Sequence, residues 1–178
     1  PAEFHGWLGE VTEAKTFPQV AAFIRGGGSV VAIGPSARLA EAVNAKPADA
    51  LADADGKALA RSDFYIPGSL LEVAVDPTRP LAYGAPQKMH VYFDRSPVFR
   101  VPDGPSRVAW YPSGDVLRSG WAVGQERLAD GAAVVDLDVG RGKLFLMGPE
   151  VAQRAQSHAA FKFLFNALQY GPAATASR

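Results

Sequence analysis

Apolar residues between Thr16 and Arg25 fall at Phe17, Val20, Ala21, Phe23 and Ile24, the stripe of one helix face. Gly26-Gly27-Gly28 ends that helix, because glycine enters the left-handed conformation without steric cost. Ser29-Val30-Val31-Ala32-Ile33-Gly34 follows as a continuous apolar run rich in β-branched residues, which predicts a buried parallel strand. Pro35-Ser36 then opens a helix over Ala37 to Asn44. Helix, glycine turn, strand and helix together give the rhythm of an α/β sheet with helices on both faces.

The middle of the chain loses this clarity. Lys46 to Arg61 is rich in Ala and Asp and only weakly patterned. Short strands are predicted at Ser69–Val75, His90–Asp94 and Arg107–Tyr111, joined by proline-bearing irregular loops such as Asp76-Pro77-Thr78-Arg79-Pro80. They read as an antiparallel elaboration inserted on the α/β core. Farther on, Ala132–Val139 and Lys143–Met147 form an antiparallel hairpin across Gly140-Arg141-Gly142. Gln156 to Tyr170 carries the strongest helical pattern, with Phe161, Leu164, Phe165 and Leu168 on its expected buried face and Phe163 beside it. Gly171-Pro172 is expected to end this helix, so residues 1–172 read as one domain and residues 173–178 as a tail.

Composition narrows the function classes. The 18 basic and 18 acidic residues cancel, and no polybasic run occurs, which argues against a nucleic-acid or anionic-membrane surface. No apolar run reaches the roughly 18–20 residues of a membrane span. With no cysteine, disulfides, thiolate catalysis and Cys-ligated metals are excluded. The chain opens at Pro1-Ala2-Glu3-Phe4 without an initiator Met, and reads as part of something longer or as a processed product.

Candidate chemistry is sparse. His5, His90 and His158 occur in no His-x-x-Glu, His-Glu-x-x-His or His-x-His spacing, so no metal site is expected in this segment. Ser36 follows a strand and precedes a helix, where a nucleophile elbow would sit. Gly34-Pro35-Ser36-Ala37-Arg38 lacks the second glycine of that motif, and Ser36 also reads as the N-cap of the next helix. His158 could supply a general base or be a helix-terminal surface residue. Trp7, Trp110, Trp121, Tyr65, Tyr92 and Phe93 could line a sugar- or peptide-binding surface, or simply be core.

An ordered set of strings carries a resemblance over nearly the whole chain. It runs from Phe23-Ile24-Arg25-Gly26-Gly27-Gly28 into Ser29–Gly34, then Phe64-Tyr65-Ile66-Pro67-Gly68-Ser69, Pro80-Leu81-Ala82-Tyr83-Gly84 and Phe93-Asp94-Arg95-Ser96-Pro97. Ser119-Gly120-Trp121, Gly140-Arg141-Gly142-Lys143 and Arg154-Ala155-Gln156-Ser157-His158 complete it. In this order the strings resemble the class I glutamine-amidotransferase-like region at the C-terminus of secreted bacterial M14 zinc carboxypeptidases. The resemblance implies a flavodoxin-like, glutamine-amidotransferase-like sheet that lacks its first strand–helix–strand unit. It implies a zinc ion in the parent peptidase domain but none here, and a periplasmic or extracellular location. An upstream part of the same protein, or another chain, would complete the sheet.

Because glutaminase chemistry needs a cysteine this chain lacks, the resemblance implies a non-catalytic accessory domain that supports the peptidase or binds peptide or cell-wall ligands. Tyr65, Phe93, Arg95, Trp121, Arg154 and Gln156 are then the candidate binding residues. Two alternatives stay open: a Ser/His hydrolase using Ser36 and His158, and a carbohydrate- or peptide-binding module.

Overall fold

The computed structural model describes residues 2–7, 9–112 and 114–176, and the side chains of Phe4, His5, Trp7, Thr175 and Ala176 lie outside that description. The chain runs through α1 (Thr16–Arg25), β1 (Ser29–Ile33) and a 3-10 segment (Gly34–Val43) to β2 (Ala48–Asp49), β3 (Ser69–Val75) and β4 (Lys88–Phe93). It continues through β5 (Phe99–Arg100), β6 (Arg107–Trp110), β7 (Leu117–Ser119), β8 (Ala132–Val139) and β9 (Gly142–Met147) to α2 (Phe161–Ala176). The strands form one sheet in the order β1-β9-β8-β6-β3-β4, with β5 bridging β2 to β8 and β7 pairing with β3. Among these pairs only β1 and β9 are parallel, from Ser29 opposite Lys143 to Ile33 opposite Met147. The α/β class holds, and the sheet is mostly antiparallel.

β9 is buried at all six positions, and its side chains divide between two cores. Leu144 and Leu146 pack with Ala21, Ile24, Ala37 and Ala40 of α1 and the 3-10 segment. Phe145 and Met147 pack on the opposite face with Phe163 and Ala167 of α2. A strand covered on both faces needs a continuous apolar run, which Leu144 to Met147 supplies. Its one charged side chain, Lys143, is held at the strand's start between Asp136 at 2.9 Å and Asp138 at 3.1 Å. β3 alternates instead: Leu71, Val73 and Val75 are buried while Leu70, Glu72 and Ala74 are half-exposed, as for a sheet covered on one face.

Several expectations need correction. β1 is parallel as predicted, but it stands at the edge of the sheet with β9 as its one strand partner, and only Ala32 is fully buried. The hairpin turn is tighter than predicted, since Val139 pairs with Gly142 and leaves Gly140-Arg141 as the loop. Gly142 must be glycine, because a Cβ there would collide with the carbonyl oxygens of Ile24 and Gly28. Phe23 does not share the buried face of α1; its ring lies over Gly28 and is exposed.

α2 is offset from its predicted phase. It starts at Phe161 rather than Gln156, because Arg154, Ala155 and Ser157 adopt φ of 46°, 54° and 54° and interrupt any helix there. The row facing the sheet is Ala160, Phe163 and Ala167, with Leu164 and Tyr170 partly buried, whereas Phe165 and Leu168 are 56% and 59% exposed. Both faces of this helix are apolar, so periodicity alone could not choose between them. The helix also passes through Pro172 to Ala176, at the cost of one backbone hydrogen bond.

This phase makes a direct test. Phe163→Ala should destabilise the fold by roughly 3–5 kcal/mol, the usual cost of emptying a buried aromatic site. Phe165→Ala should stay within about 0.5 kcal/mol of wild type. Urea denaturation of the two variants checks this, and a reversed order would mean the other face of α2 meets the sheet.

Candidate functional site

β1 and β9 run parallel, so their carboxyl ends open on the same side of the sheet, where open α/β folds bind ligands. Gly148, just after β9, gives way to the returning chain: a Cβ there would collide with the carbonyl of Pro97. That contact lays residues 95–99, which follow β4, across this end of the sheet. The start of the 3-10 segment, the stretch from Lys46 to Leu51 and the loop over residues 58–66 close round it. Together they line a cleft of about 460 Å³.

The cleft has an apolar body and a basic rim. Leu51, Leu59, Phe64, Ile66, Val98 and Phe99 form its body, and Arg38, Lys46, Arg61 and Arg95 reach its lining, with Asp49 as the one acidic residue there. The basic heads have partial partners: Arg38 with Glu13 at 3.2 Å, Lys46 with Glu41 at 2.6 Å and Arg95 with Asp94 at 3.2 Å. Arg61 stands over the Tyr65 ring, 5.2 Å from its centroid. The Asp49 carboxylate accepts the Leu51 N–H at 2.8 Å. Ser96, 3% exposed, accepts the Asp94 N–H at 3.2 Å through its Oγ.

Tyr65 is positioned by a bridge between two loops. It exchanges backbone hydrogen bonds with Val123, at 3.0 and 2.9 Å, and its ring meets Trp121 edge-on at 5.8 Å and 74°. The Trp121 backbone is clamped by Ser69, whose Oγ accepts the Trp121 N–H at 3.0 Å and donates to the Trp121 carbonyl at 2.8 Å. Gly120 permits this clamp: at φ 102°, a Cβ would strike the Ser69 side chain. Trp121 is left 57% exposed beside Tyr65.

The structure separates the other sequence candidates. Tyr65 and Arg95 line the cleft, and Trp121 flanks it through Tyr65. Phe93 is core and not a binding residue, fully buried with its ring edge-on to Phe64 and Tyr111. Arg154 and Gln156 lie exposed in the left-handed stretch before α2, outside the cleft lining. Ser36 does not cap a helix; Ile33 holds the N-cap position and Ser36 is exposed within the first turn. His158 is exposed, its ring 5.6 Å from that of Phe161. No hydrogen bond joins it to Ser36, and neither residue lines the cleft.

The elbow belongs to a different residue. Gly34, directly after β1, takes φ 55°, and a Cβ built on it would lie 2.5 Å from Oε1 of Glu150. At the turn where a nucleophile could project, this chain places a residue with no side chain and a carboxylate in the vacated space. The motif pattern places the nucleophile at Ser36, two residues beyond the glycine that takes the turn. Among the described residues no group of three or more His, Cys, Asp or Glu side chains could hold a metal ion, and no helix is long and apolar enough to cross a membrane.

No protein-family profile and no curated protein matches the chain. Among solved structures it is similar to a putative ThuA-like protein from Parabacteroides merdae, at a TM-score of 0.52 and 14% identity, over 96% of this chain and 68% of that one. A cytoplasmic protein from Salmonella typhimurium aligns at a TM-score of 0.46 and 14% identity, over 94% of this chain and 64% of its own. The fold is glutamine-amidotransferase-like. The ThuA-like neighbour overturns the expected origin in M14 zinc carboxypeptidases. Zinc in a parent peptidase and a secreted location rested on that resemblance alone and lose their ground with it.

The elbow generates a prediction. Gly34→Ala should cost about 1–3 kcal/mol, through its positive φ and the approach of Glu150. Adding Glu150→Ala should recover part of that loss. A double-mutant cycle in denaturant measures the coupling, and strict additivity would show that the carboxylate does not occupy the elbow.

Proposed function

We propose that the chain is a ligand-binding domain with no covalent chemistry of its own, working as an accessory part of a larger protein. The observation that carries this reading is the pairing of a formed cleft at the carboxyl ends of the strands with an elbow occupied by Gly34. A hydrolase needs its nucleophile within reach of a base and an orienting group. Ser36 lies two residues beyond the elbow, exposed, and makes no hydrogen bond to His158. The near-perpendicular Tyr65 and Trp121 rings suit the end wall of a cleft better than a flat sugar-stacking platform.

The accessory role draws on the open edge of β1. Phe23 of α1 and Leu168 of α2 wall an apolar groove floored by Ser29 and Val31. On this reading the remainder of the same polypeptide lays a strand there. This chain matches 68% of the neighbour from Parabacteroides merdae, so a protein of this fold carries further chain from which such an occupant could come.

Two measurements test these readings. With p-nitrophenyl acetate, turnover should not exceed that of buffer, and Ser36→Ala and His158→Ala should change nothing; turnover that both substitutions abolish would establish the hydrolase instead. For the edge, Phe23→Cys places a single label in this cysteine-free segment, with any cysteine elsewhere in the full-length protein replaced by serine. A bimane there should be quenched by iodide in the excised chain and shielded in the full-length protein. Equal quenching in both would remove the accessory role.

A further inference from the structure

The cleft's chemistry specifies its ligand more narrowly, an inference that rests on its being a binding site. We propose that it takes an amphipathic anion: an alkyl or aromatic body about the size of a small metabolite, carrying one carboxylate, sulfonate or phosphate head. The size follows from the volume of about 460 Å³, which falls in the ordinary range of small-molecule sites. The body follows from walls built by Leu59, Phe64, Ile66 and Phe99, which offer no polar group to a hydrophilic ligand.

The head follows from the imbalance of charge. Four basic side chains line the cleft against one carboxylate, in a chain whose overall charge is zero, so the excess is local to this place. The acids that partner Arg38, Lys46 and Arg95 are Glu13, Glu41 and Asp94, and none of them lines the cleft. Such exposed pairs are weak and their cations can be shared with a bound anion. Asp49 is turned toward its own backbone by the Leu51 N–H. Arg61 and Arg95 have the planar fork that meets a carboxylate or phosphate through two parallel bonds.

Ser96 supplies the second, independent sign. It is almost completely buried in the cleft wall, and its Oγ accepts a hydrogen bond from Asp94. Among the described residues its hydroxyl proton has no acceptor. A serine hydroxyl can donate as well as accept, so this proton is free to meet an anionic oxygen entering the cleft. The stacked Arg61–Tyr65 pair then closes the rim with a cation already held at the mouth.

The test compares two fluorescent probes with similar apolar bodies. One is 1-anilinonaphthalene-8-sulfonate, an anion, and the other is the neutral N-phenyl-1-naphthylamine. The proposal expects the sulfonate to bind about tenfold more tightly than the neutral probe, the ratio that one charge-assisted contact supports. Arg61→Ala and Arg95→Ala, both surface changes, should each weaken the sulfonate severalfold and leave the neutral probe unchanged. Sodium dodecanoate should displace the sulfonate where dodecanol does not. Circular dichroism and thermal melting confirm that the variants fold.

Equal binding of both probes, lost together in Leu59→Asp, would overturn the anion preference and leave the binding reading standing. Sulfonate binding insensitive to Leu59→Asp and to the Arg61→Glu/Arg95→Glu pair, or no binding of either probe, would overturn the cleft as a binding site altogether.

Discussion

Burial of β9 on both faces is the constraint from which the rest of the architecture hangs. A strand with no wet face must have helices above and below it, so α1 with the 3-10 segment takes one side and α2 the other. The α1–β1 turn can reach it only because Gly142 leaves room for the carbonyls of Ile24 and Gly28. Once β1 is set parallel to β9, the ends of both strands point to one side, and the chain must solve there the problem of two unpaired strand ends. The antiparallel β8, β6, β3 and β4 extend the sheet away from this centre and need only one covered face.

The cleft is a product of that arrangement. β1 and β9 bring only Gly34 and Gly148 to this end, two residues without side chains. The walls therefore come from connecting segments: residues 46–51, 58–66 and 95–99. A rigid sheet end supplies the floor position while loops supply the chemistry, the usual division between scaffold and recognition. The Ser69 clamp on Trp121 and the Tyr65–Val123 bridge give these loops fixed geometry without regular secondary structure. Glu150, standing in the space a nucleophile's side chain would use, makes the elbow a packing feature.

Much of the frame was legible in the sequence, and the reasons differ element by element. β3 and β8 fall at Ser69–Val75 and Ala132–Val139 as their patterns predict, since the alternation of β3 and the apolar run and tight turn of β8 are local properties. The phase of α2 was not legible, because Phe161, Phe165 and Leu168 offer a stripe as apolar as Phe163 and Ala167, and only the sheet decides. Phe93 falls in the strand predicted over His90–Asp94, but which face it takes was not legible; as the last residue of β4 it is turned inward by alternation. Of the basic rim only Arg95 was legible; Arg38, Lys46 and Arg61 are scattered over the sequence with no spacing that joins them to it. The ordered strings gave the right fold and the wrong lineage. Glycine, proline and aromatic strings record turns and close approaches, which proteins of one fold share whatever their ancestry.

The outer edge of β1 has a consequence for how this chain behaves at high concentration. Val30, Val31, Ala32 and Ile33 present a β-rich edge without charge, proline or bulge, the devices that ordinarily blunt such edges. A nascent chain bearing this edge faces a race between intramolecular burial and templated growth onto another molecule. That race depends on concentration, whereas the folding of the β8–β9 hairpin does not. Dilution, slow synthesis or a chaperone holding the strand would favour the solitary fold, and crowding would favour assembly.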